Sequence, residues 1–588
     1  MNTPEPATTP ALRVQDLTVR FGSTEAVRGV SFDLAAGSRT GLVGESGSGK
    51  SVTALSVMRL VQGATTTGQV RLGDVDVLAL NRRRLQKIRG SRVAMIYQDP
   101  MSSLNPVHTI GAQITEAITL HSTVSRRDAR DRAVELLSEV GVARAQERLD
   151  AYPHQFSGGM RQRVMIAMAL AGDPKVLIAD EPTTALDVTI QARIIDLLDR
   201  IVAERHTAVL LITHDLGVAA GFCDRIHVMQ HGLIVESAEA EELYARPQHP
   251  YTRSLLGAVV DLQTDVTRPI PTTADIAPVR TSPIEVDERP TAAEPTEPDT
   301  GRPPAGATVP GIPQPGAPEL LRVTGIRKTF ELGHSEVRAV DDVSFAVRRG
   351  QTFGLVGESG SGKSTVSSCI LGLTPIDAGR VEFDGTTVNG LGRTELRELR
   401  RRMQIVFQDP FAALNRRHTV RRLVAAPLAA HGIGDRRERA DRAVEMLELV
   451  GLGTQYHDRL PRELSGGQCQ RVAIARALVL EPEFLVLDEA VSALDVSLQA
   501  QVLNLLRELQ QRLDLTYLFV SHDLGVVRYM CSEIAVMQSG AIVEQAGRDE
   551  LFAEPKQEYT RALLAAVPTA DPVTEKARRA RSTAAVSA

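Results

Sequence analysis

The sequence predicts an α/β protein built from two tandem nucleotide-binding domains, each a mostly parallel sheet covered by helices on both faces. Three observations predict it. The octapeptide Gly-Glu-Ser-Gly-Ser-Gly-Lys-Ser occurs twice, at 44–51 and at 357–364. Around each copy, short apolar segments alternate with helical ones in the same order, the pattern of parallel strands buried on both sides. Between the copies, residues 269–318 hold 13 of the chain's 31 prolines, too broken a stretch to bury a core. A length of 588 residues allows several domains, each with its own core.

The first domain is expected over 12–262 and the second over 319–567. Residues 263–318 are expected to be a flexible linker, and 1–11 and 568–588 disordered. Each repeat opens rich in β-structure, and a strand (Thr40–Val43, Thr352–Val356) then feeds the octapeptide. A helix follows it directly. Next comes a helical insertion with amphipathic segments at Arg130–Val140 and Ala440–Val450. The chain then returns to buried strands at Val176–Ala179 and Phe484–Leu487, and later at Ala208–Ile212 and Thr516–Val520.

Composition narrows the function. With 43% hydrophobic and 24% charged residues the chain is ordinary for a globular protein. A net charge of −5 argues against a dominant nucleic-acid footprint. No apolar run approaches the ~20 residues that span a bilayer, and the start lacks a signal-peptide pattern; the chain is expected in the cytosol, docking on other subunits if it works at a membrane. The four cysteines, Cys223, Cys369, Cys469 and Cys531, form no Cys-x-x-Cys pair, and they are expected to be small buried residues rather than metal ligands.

Each octapeptide fits the phosphate-binding loop G-x-x-x-x-G-K-[ST]. Gly44, Gly47 and Gly49, and Gly357, Gly360 and Gly362, let the backbone curl so that N–H groups, those of Ser46 and Ser359 among them, face inward toward phosphate oxygens at a helix start. Lys50 and Lys363 would reach the β/γ-phosphates, and Ser51 and Ser364 would hold Mg²⁺. After the buried strands come Asp180-Glu181 and Asp488-Glu489. The first carboxylate of each pair suits Mg²⁺, and the second is placed to orient or deprotonate a water.

Phe156-Ser157-Gly158-Gly159-Met160 and Leu464-Ser465-Gly466-Gly467-Gln468 resemble the signature of ABC-type ATPases. Each lies 23 residues before its acidic pair, from Ser157 to Asp180 and from Ser465 to Asp488. The resemblance implies a RecA-like core with a β subdomain and a helical insertion. It implies that Gln98 and Gln408 are Q-loop residues near Mg²⁺, that Asp187 and Asp495 are D-loop residues, and that His214 and His522 are switch histidines. Phe21 and Phe330 stand where the family stacks an aromatic on adenine. ATP would be bound head to tail. One site would combine Lys50, Ser51, Gln98, Asp180, Glu181 and His214 with Ser465 and Gly467; the other would combine Lys363, Ser364, Gln408, Asp488, Glu489 and His522 with Ser157 and Gly159. Met160 departs from the family's glutamine, which implies reduced function at the site it serves.

Gln98-Asp-Pro-Met-Ser-Ser-Leu-Asn-Pro106 and the related segment Gln408–Asn415 resemble the dipeptide, oligopeptide and nickel importer branch. So do Pro247-Gln-His-Pro-Tyr-Thr-Arg-Ser-Leu-Leu256 and Pro555-Lys-Gln-Glu-Tyr-Thr-Arg-Ala-Leu-Leu564. This branch implies a peptide importer with two membrane permease subunits, an extracytoplasmic substrate-binding protein, and this chain on the cytoplasmic face. Neither direct peptide binding nor nucleic-acid binding is expected of it. The rival readings are a soluble tandem ATPase acting on ribosomes or DNA, and a non-hydrolysing scaffold.

Overall fold

The computed structural model describes residues 10–99, 103–184, 186–272, 311–314, 316–332, 335–492 and 494–587. The expected disorder at 1–11, most of the linker, and Pro100–Ser102 of the glutamine-loop segment therefore fall largely or wholly outside the described residues.

The strands of the first half are β1 (Leu12–Phe21), β2 (Thr24–Leu34), β3 (Arg39–Val43), β4 (Thr65–Leu72), β5 (Val75–Asp76), β6 (Val93–Ile96), β7 (Val176–Asp180), β8 (Ala208–Thr213), β9 (Arg225–Gln230) and β10 (Leu233–Glu239). They form a four-stranded antiparallel sheet, ordered β2-β1-β4-β5, and a six-stranded sheet, ordered β10-β9-β3-β8-β7-β6. In the second sheet every pairing is parallel except that of β10 with β9. Every residue of β7 and β8 is buried, as a strand covered on both faces must be. Successive side chains go to opposite cores: Val176 and Ile178 join the layer beneath the antiparallel sheet, while Leu177 and Ala179 join the helical layer.

The second half repeats this plan with β11 (Glu319–Leu332), β12 (Ser335–Arg348), β13 (Thr352–Val356), β14 (Ala378–Phe383), β15 (Thr386–Thr387), β16 (Met403–Val406), β17 (Phe484–Asp488), β18 (Thr516–Ser521), β19 (Glu533–Gln538) and β20 (Ala541–Gly547). Its sheets run β12-β11-β14-β15 and β16-β17-β18-β13-β19-β20. In both halves the strand that feeds the phosphate loop lies inside the parallel sheet, so the loop emerges at the carboxyl edge beside the strand leading to the histidine and one strand further from the acidic pair. The helical insertions are Ile110–His121 with Arg126–Glu139, and Val420–His431 with Arg436–Leu449. Among the described residues no helix is long and apolar enough to cross a membrane.

Two stretches differ from the sequence expectation. The tail expected to be disordered over 568–588 forms a helix, Pro572–Ser587, seated on the first half: Glu575 is 2% exposed, and Arg579 bonds the Gly221 carbonyl and Asp196. The start of the expected linker is also docked, with Ile270 buried and bonded to Asn504 of the second half. Neither segment buries enough of itself to fold alone. Each is ordered by a surface hundreds of residues away, which composition does not reveal.

Candidate active site

The phosphate loops are shaped by glycines at positive φ. Gly44 has φ 149° and Gly357 φ 151°, and a Cβ on either would lie 2.2 Å from a strand carbonyl, that of Met229 or Met537. Only glycine lets the loop run this close to its neighbour. Gly49 and Gly362, both at φ 104°, lead into the helices Lys50–Val57 and Lys363–Ile370. Lys50 Nζ donates to the carbonyls of Gly44 at 2.7 Å and Glu45 at 2.8 Å; Lys363 donates to Gly357 at 2.7 Å and Glu358 at 2.9 Å. Burial depresses both ammonium groups' pKa, and the surrounding carboxylates oppose the shift.

The acidic pairs close the site. Ser51 Oγ donates to Asp180 Oδ1 at 3.0 Å, and Ser364 Oγ to Asp488 Oδ1 at 3.1 Å. Burial raises the Asp180 carboxyl to about 6 and shifts Asp488 the same way. A hydroxyl beside a buried carboxylate that carries charge at a cost is a donor set suited to a hard cation with oxygen ligands, so Mg²⁺ fits these residues. Glu181 and Glu489 sit at φ 48° and 49°, a conformation that costs a non-glycine residue energy and clusters at functional positions. Gln98 Nε2 donates to Glu181 Oε2 and Gln408 Nε2 to Glu489 Oε2, both at 2.7 Å. His214 Nδ1 lies 3.2 Å from Glu181 Oε1, and His522 Nδ1 lies 3.3 Å from Glu489 Oε1. Burial would raise the Glu181 pKa, but the bond and charge of His214, the Thr184 hydroxyl and the Lys50 charge together outweigh it and hold the carboxyl at about 2; at Glu489 burial is outweighed by His522, Lys363 and Gln408. In the first half a further hydroxyl, that of Thr184, donates to this carboxylate at 2.8 Å; Ser492, its counterpart, bonds the Glu489 carbonyl instead.

The structure brings the two halves together at the phosphate loops. Asp495 Oδ2 accepts the Ser46 N–H at 3.2 Å, and Asp187 Oδ1 accepts the Ser359 N–H at 2.6 Å, so these two N–H groups, expected to face phosphate oxygens, instead bond a carboxylate of the opposite half. Thr189 adds a bond to Glu358. Ser157 and Ser465 cap the helices Gly158–Leu170 and Gly466–Leu478 through the N–H of residue 160 or 468. Gly159 and Gly467 pack closely, since a Cβ would meet the Ile190 side chain at 2.6 Å or the Leu498 side chain at 3.0 Å, so a larger residue at 159 would push Ile190 aside. Gln468 returns a bond to the Ser465 N–H at 3.0 Å, which the thioether of Met160 cannot supply in that form. Phe21 and Phe330 are 37% and 40% exposed, and Lys328 Nζ lies over one face of the Phe330 ring, 5.4 Å from its centroid.

Two tyrosines reach the site from the C-terminal motifs of the two halves. The Glu45 N–H donates to Tyr251 OH at 3.1 Å, and the Glu358 N–H to Tyr559 OH at 3.2 Å. Tyr-Thr-Arg recurs at the same place in both repeats. That recurrence was the available signal, but nothing in it says that the ring reaches back to the loop.

Comparison with known proteins agrees with this geometry. The ABC transporter family matches residues 27–184 and 340–492. The oligopeptide/dipeptide transporter C-terminal region matches 235–282 and 543–587, spans that include Tyr251 and Tyr559. The oligopeptide transport ATP-binding protein OppD of Mycobacterium tuberculosis is 46% identical over 607 residues, covering 96% of this chain and 99% of its own. The glutathione import ATP-binding protein GsiA of Escherichia coli O157:H7 is 44% identical over 591 residues, covering 97% of this chain and 91% of its own. GsiA of Salmonella typhimurium is 43% identical over 594 residues, with the same coverage.

Proposed function

The chain belongs to the ABC transporter family, and from that premise we propose that it is the ATP-hydrolysing, energy-coupling subunit of a membrane importer for peptides. Its two halves are fused in one chain, and each ATP site is completed by the other half. The observation that carries this reading is the reciprocal pair of bonds from Asp495 to Ser46 and from Asp187 to Ser359. They hold each phosphate loop against the opposite half, and fusion raises the effective concentration of both.

Lys50 and Lys363, with the inward N–H groups of their loops, would bind the β/γ-phosphates, and Phe21 and Phe330 would stack on adenine. A Mg²⁺ ion, when bound, neutralises phosphate charge; Ser51, Gln98 and Asp180, and Ser364, Gln408 and Asp488, would hold it. Glu181 and Glu489, fixed by their glutamine and histidine partners, would orient the attacking water and take its proton. His214 and His522 would reach the γ-phosphate, and the Ser157-Gly158-Gly159 and Ser465-Gly466-Gly467 helix starts would cover the phosphates of the opposite half. ATP favours the closed pair, and hydrolysis reopens it. Beside the glutamine loops, Tyr97 (40% exposed) and Val107 (75%) of the first half and Phe407 (41%) of the second present apolar surface, which suits permease helices at the cytoplasmic side of a membrane.

Replacing both Glu181 and Glu489 by Gln is expected to lower turnover by ~10²-fold or more while ATP binding persists. Near-normal ATPase activity in that variant would sink the assignment. Co-purification with integral membrane subunits, as against ribosomes, separates the transporter from a soluble tandem ATPase.

A further inference from the structure

The C-terminal segments of the two halves are exchanged. After helix Pro250–Gly257 the first half's chain crosses onto the second half. There a Cβ on Gly525 would lie 2.7 Å from the Val260 carbonyl, Arg528 donates to the Thr264 carbonyl at 2.9 Å, Arg507 donates to the Val266 carbonyl at 2.9 Å, and Asn504 clasps both backbone groups of Ile270. After helix Glu558–Ala566 the second half's chain crosses onto the first. A Cβ on Gly217 would lie 3.1 Å from Pro568 Cβ, Glu575 covers Gly221, and Arg579 donates to the Gly221 carbonyl at 2.9 Å and to Asp196 at 3.0 Å, with Asp199 also bonded. Gly217 and Gly525 each lie three residues after a site histidine, in the helices Leu216–Phe222 and Leu524–Met530. The two seats also differ in chemistry. One offers carboxylates to an arginine; the other offers arginine and amide donors to bare carbonyls. Each segment's contacts thus suit the seat it occupies.

The same segments begin at the phosphate loops. Tyr251 and Tyr559 accept the N–H of Glu45 and Glu358 in their own halves and stand at the starts of the two helices that lead into the crossings. We propose that the C-terminal region of each half is a relay between the two ATP sites, tying its own phosphate loop, through Tyr251 or Tyr559, to the helix that follows the histidine of the opposite half. The relay rests on the two-site reading above. It gives this C-terminal region a task at the sites themselves: filling one phosphate loop sets the position of the other half's histidine. Tyr251, Tyr559, Asn504 and Arg579 are positioning residues in it.

The test uses the full chain with the non-hydrolysed analogue AMP-PNP and hydrogen exchange read peptide by peptide. Tyr251→Phe is expected to raise exchange severalfold across 524–530, in the opposite half, while 216–222 stays at wild type; Tyr559→Phe and Arg579→Ala are expected to do the reverse. The Hill coefficient for ATP in steady-state hydrolysis is expected to fall toward one in Tyr251→Phe/Tyr559→Phe, and in Arg579→Ala with saturated turnover kept within about twofold, because coupling and not chemistry is removed. Loosening confined to 44–51, equal loosening of both helices, no change in either, or a wild-type Hill coefficient of one would each overturn the relay. A cooperativity loss with no change in the opposite helix overturns it too, since the coupling then runs elsewhere. Should Tyr251→Phe fail to fold, Asn504→Ala opens the same crossing from its other end. Because the exchange experiment involves no hydrolysis, failure of the glutamate assignment shows only in turnover and stays distinguishable.

Discussion

Asp187 Oδ1 accepts the backbone N–H of Ser359 at 2.6 Å, joining the end of one acidic-strand loop to the phosphate loop of the other half. Asp495 makes the matching bond to Ser46. Asp187 is 5% exposed and Asp495 7%, so these are charge-assisted bonds with little water to replace them.

A hydrogen bond to a buried charge is worth about 1.5–3 kcal/mol. Asp187→Ala is therefore expected to raise the ATP concentration at half-maximal turnover about tenfold, because closure loses a contact made only between the halves. ATPase rates across an ATP titration check this; a wild-type curve would mean that the bond is not used in closure.

The signature helices differ by one bond, which makes Met160 an informative site. Met160→Gln is expected to rebuild the return bond that Gln468 makes to Ser465 and to stabilise the cap by about 0.5–1 kcal/mol. Gln468→Met should cost a similar amount. Chemical denaturation of both variants, with ATPase rates alongside, gives the comparison.

Gly357 tolerates no side chain. Gly357→Ala would place a Cβ 2.2 Å from the Met537 carbonyl at φ 151°, and the loop must move for it to fit. We expect nucleotide affinity in that half to fall by more than about tenfold. Binding of a fluorescent ATP analogue to the variant in a Gly44-intact chain measures it.

His227 carries a pH dependence of stability that is independent of the phosphate sites. It is 5% exposed beside Phe32, and burial, reinforced by the charge of Arg225, holds its pKa down at about 4. An unfolded histidine titrates near 6.5. Between those values the unfolded chain binds a proton that the native state refuses, so stability is complete above about 6.5 and falls as pH drops toward 4. The full loss is on the order of 3 kcal/mol. The second half has Ala535 on the matching strand. Denaturant unfolding of His227→Ala at pH 7 and pH 5 is expected to show a cavity cost at pH 7 and a shallower pH slope than wild type.

Much of the site was legible because its parts are contiguous words. A phosphate loop, an acidic pair at a strand end, and a Ser-Gly-Gly helix start each carry their geometry in a few neighbouring residues. The strand Thr352–Val356 has the limits its sequence predicts, since an apolar run between a turn and a glycine loop has one place to go. The bonds from Gln98 and His214 to Glu181 join residues that the family resemblance had already set around one phosphate.

Pairing across the halves was another matter. Nothing local in Tyr251 says that its hydroxyl returns to the Glu45 N–H. A basic, alanine-rich tail reads as disordered until Asp196 and Asp199 are found beneath Arg579. Local signals were enough for a mostly parallel sheet and a phosphate loop in each repeat, because apolar patterning and glycine placement act over a few residues. Which half holds which C-terminal segment was settled in three dimensions, because that choice depends on the complementarity of surfaces hundreds of residues apart.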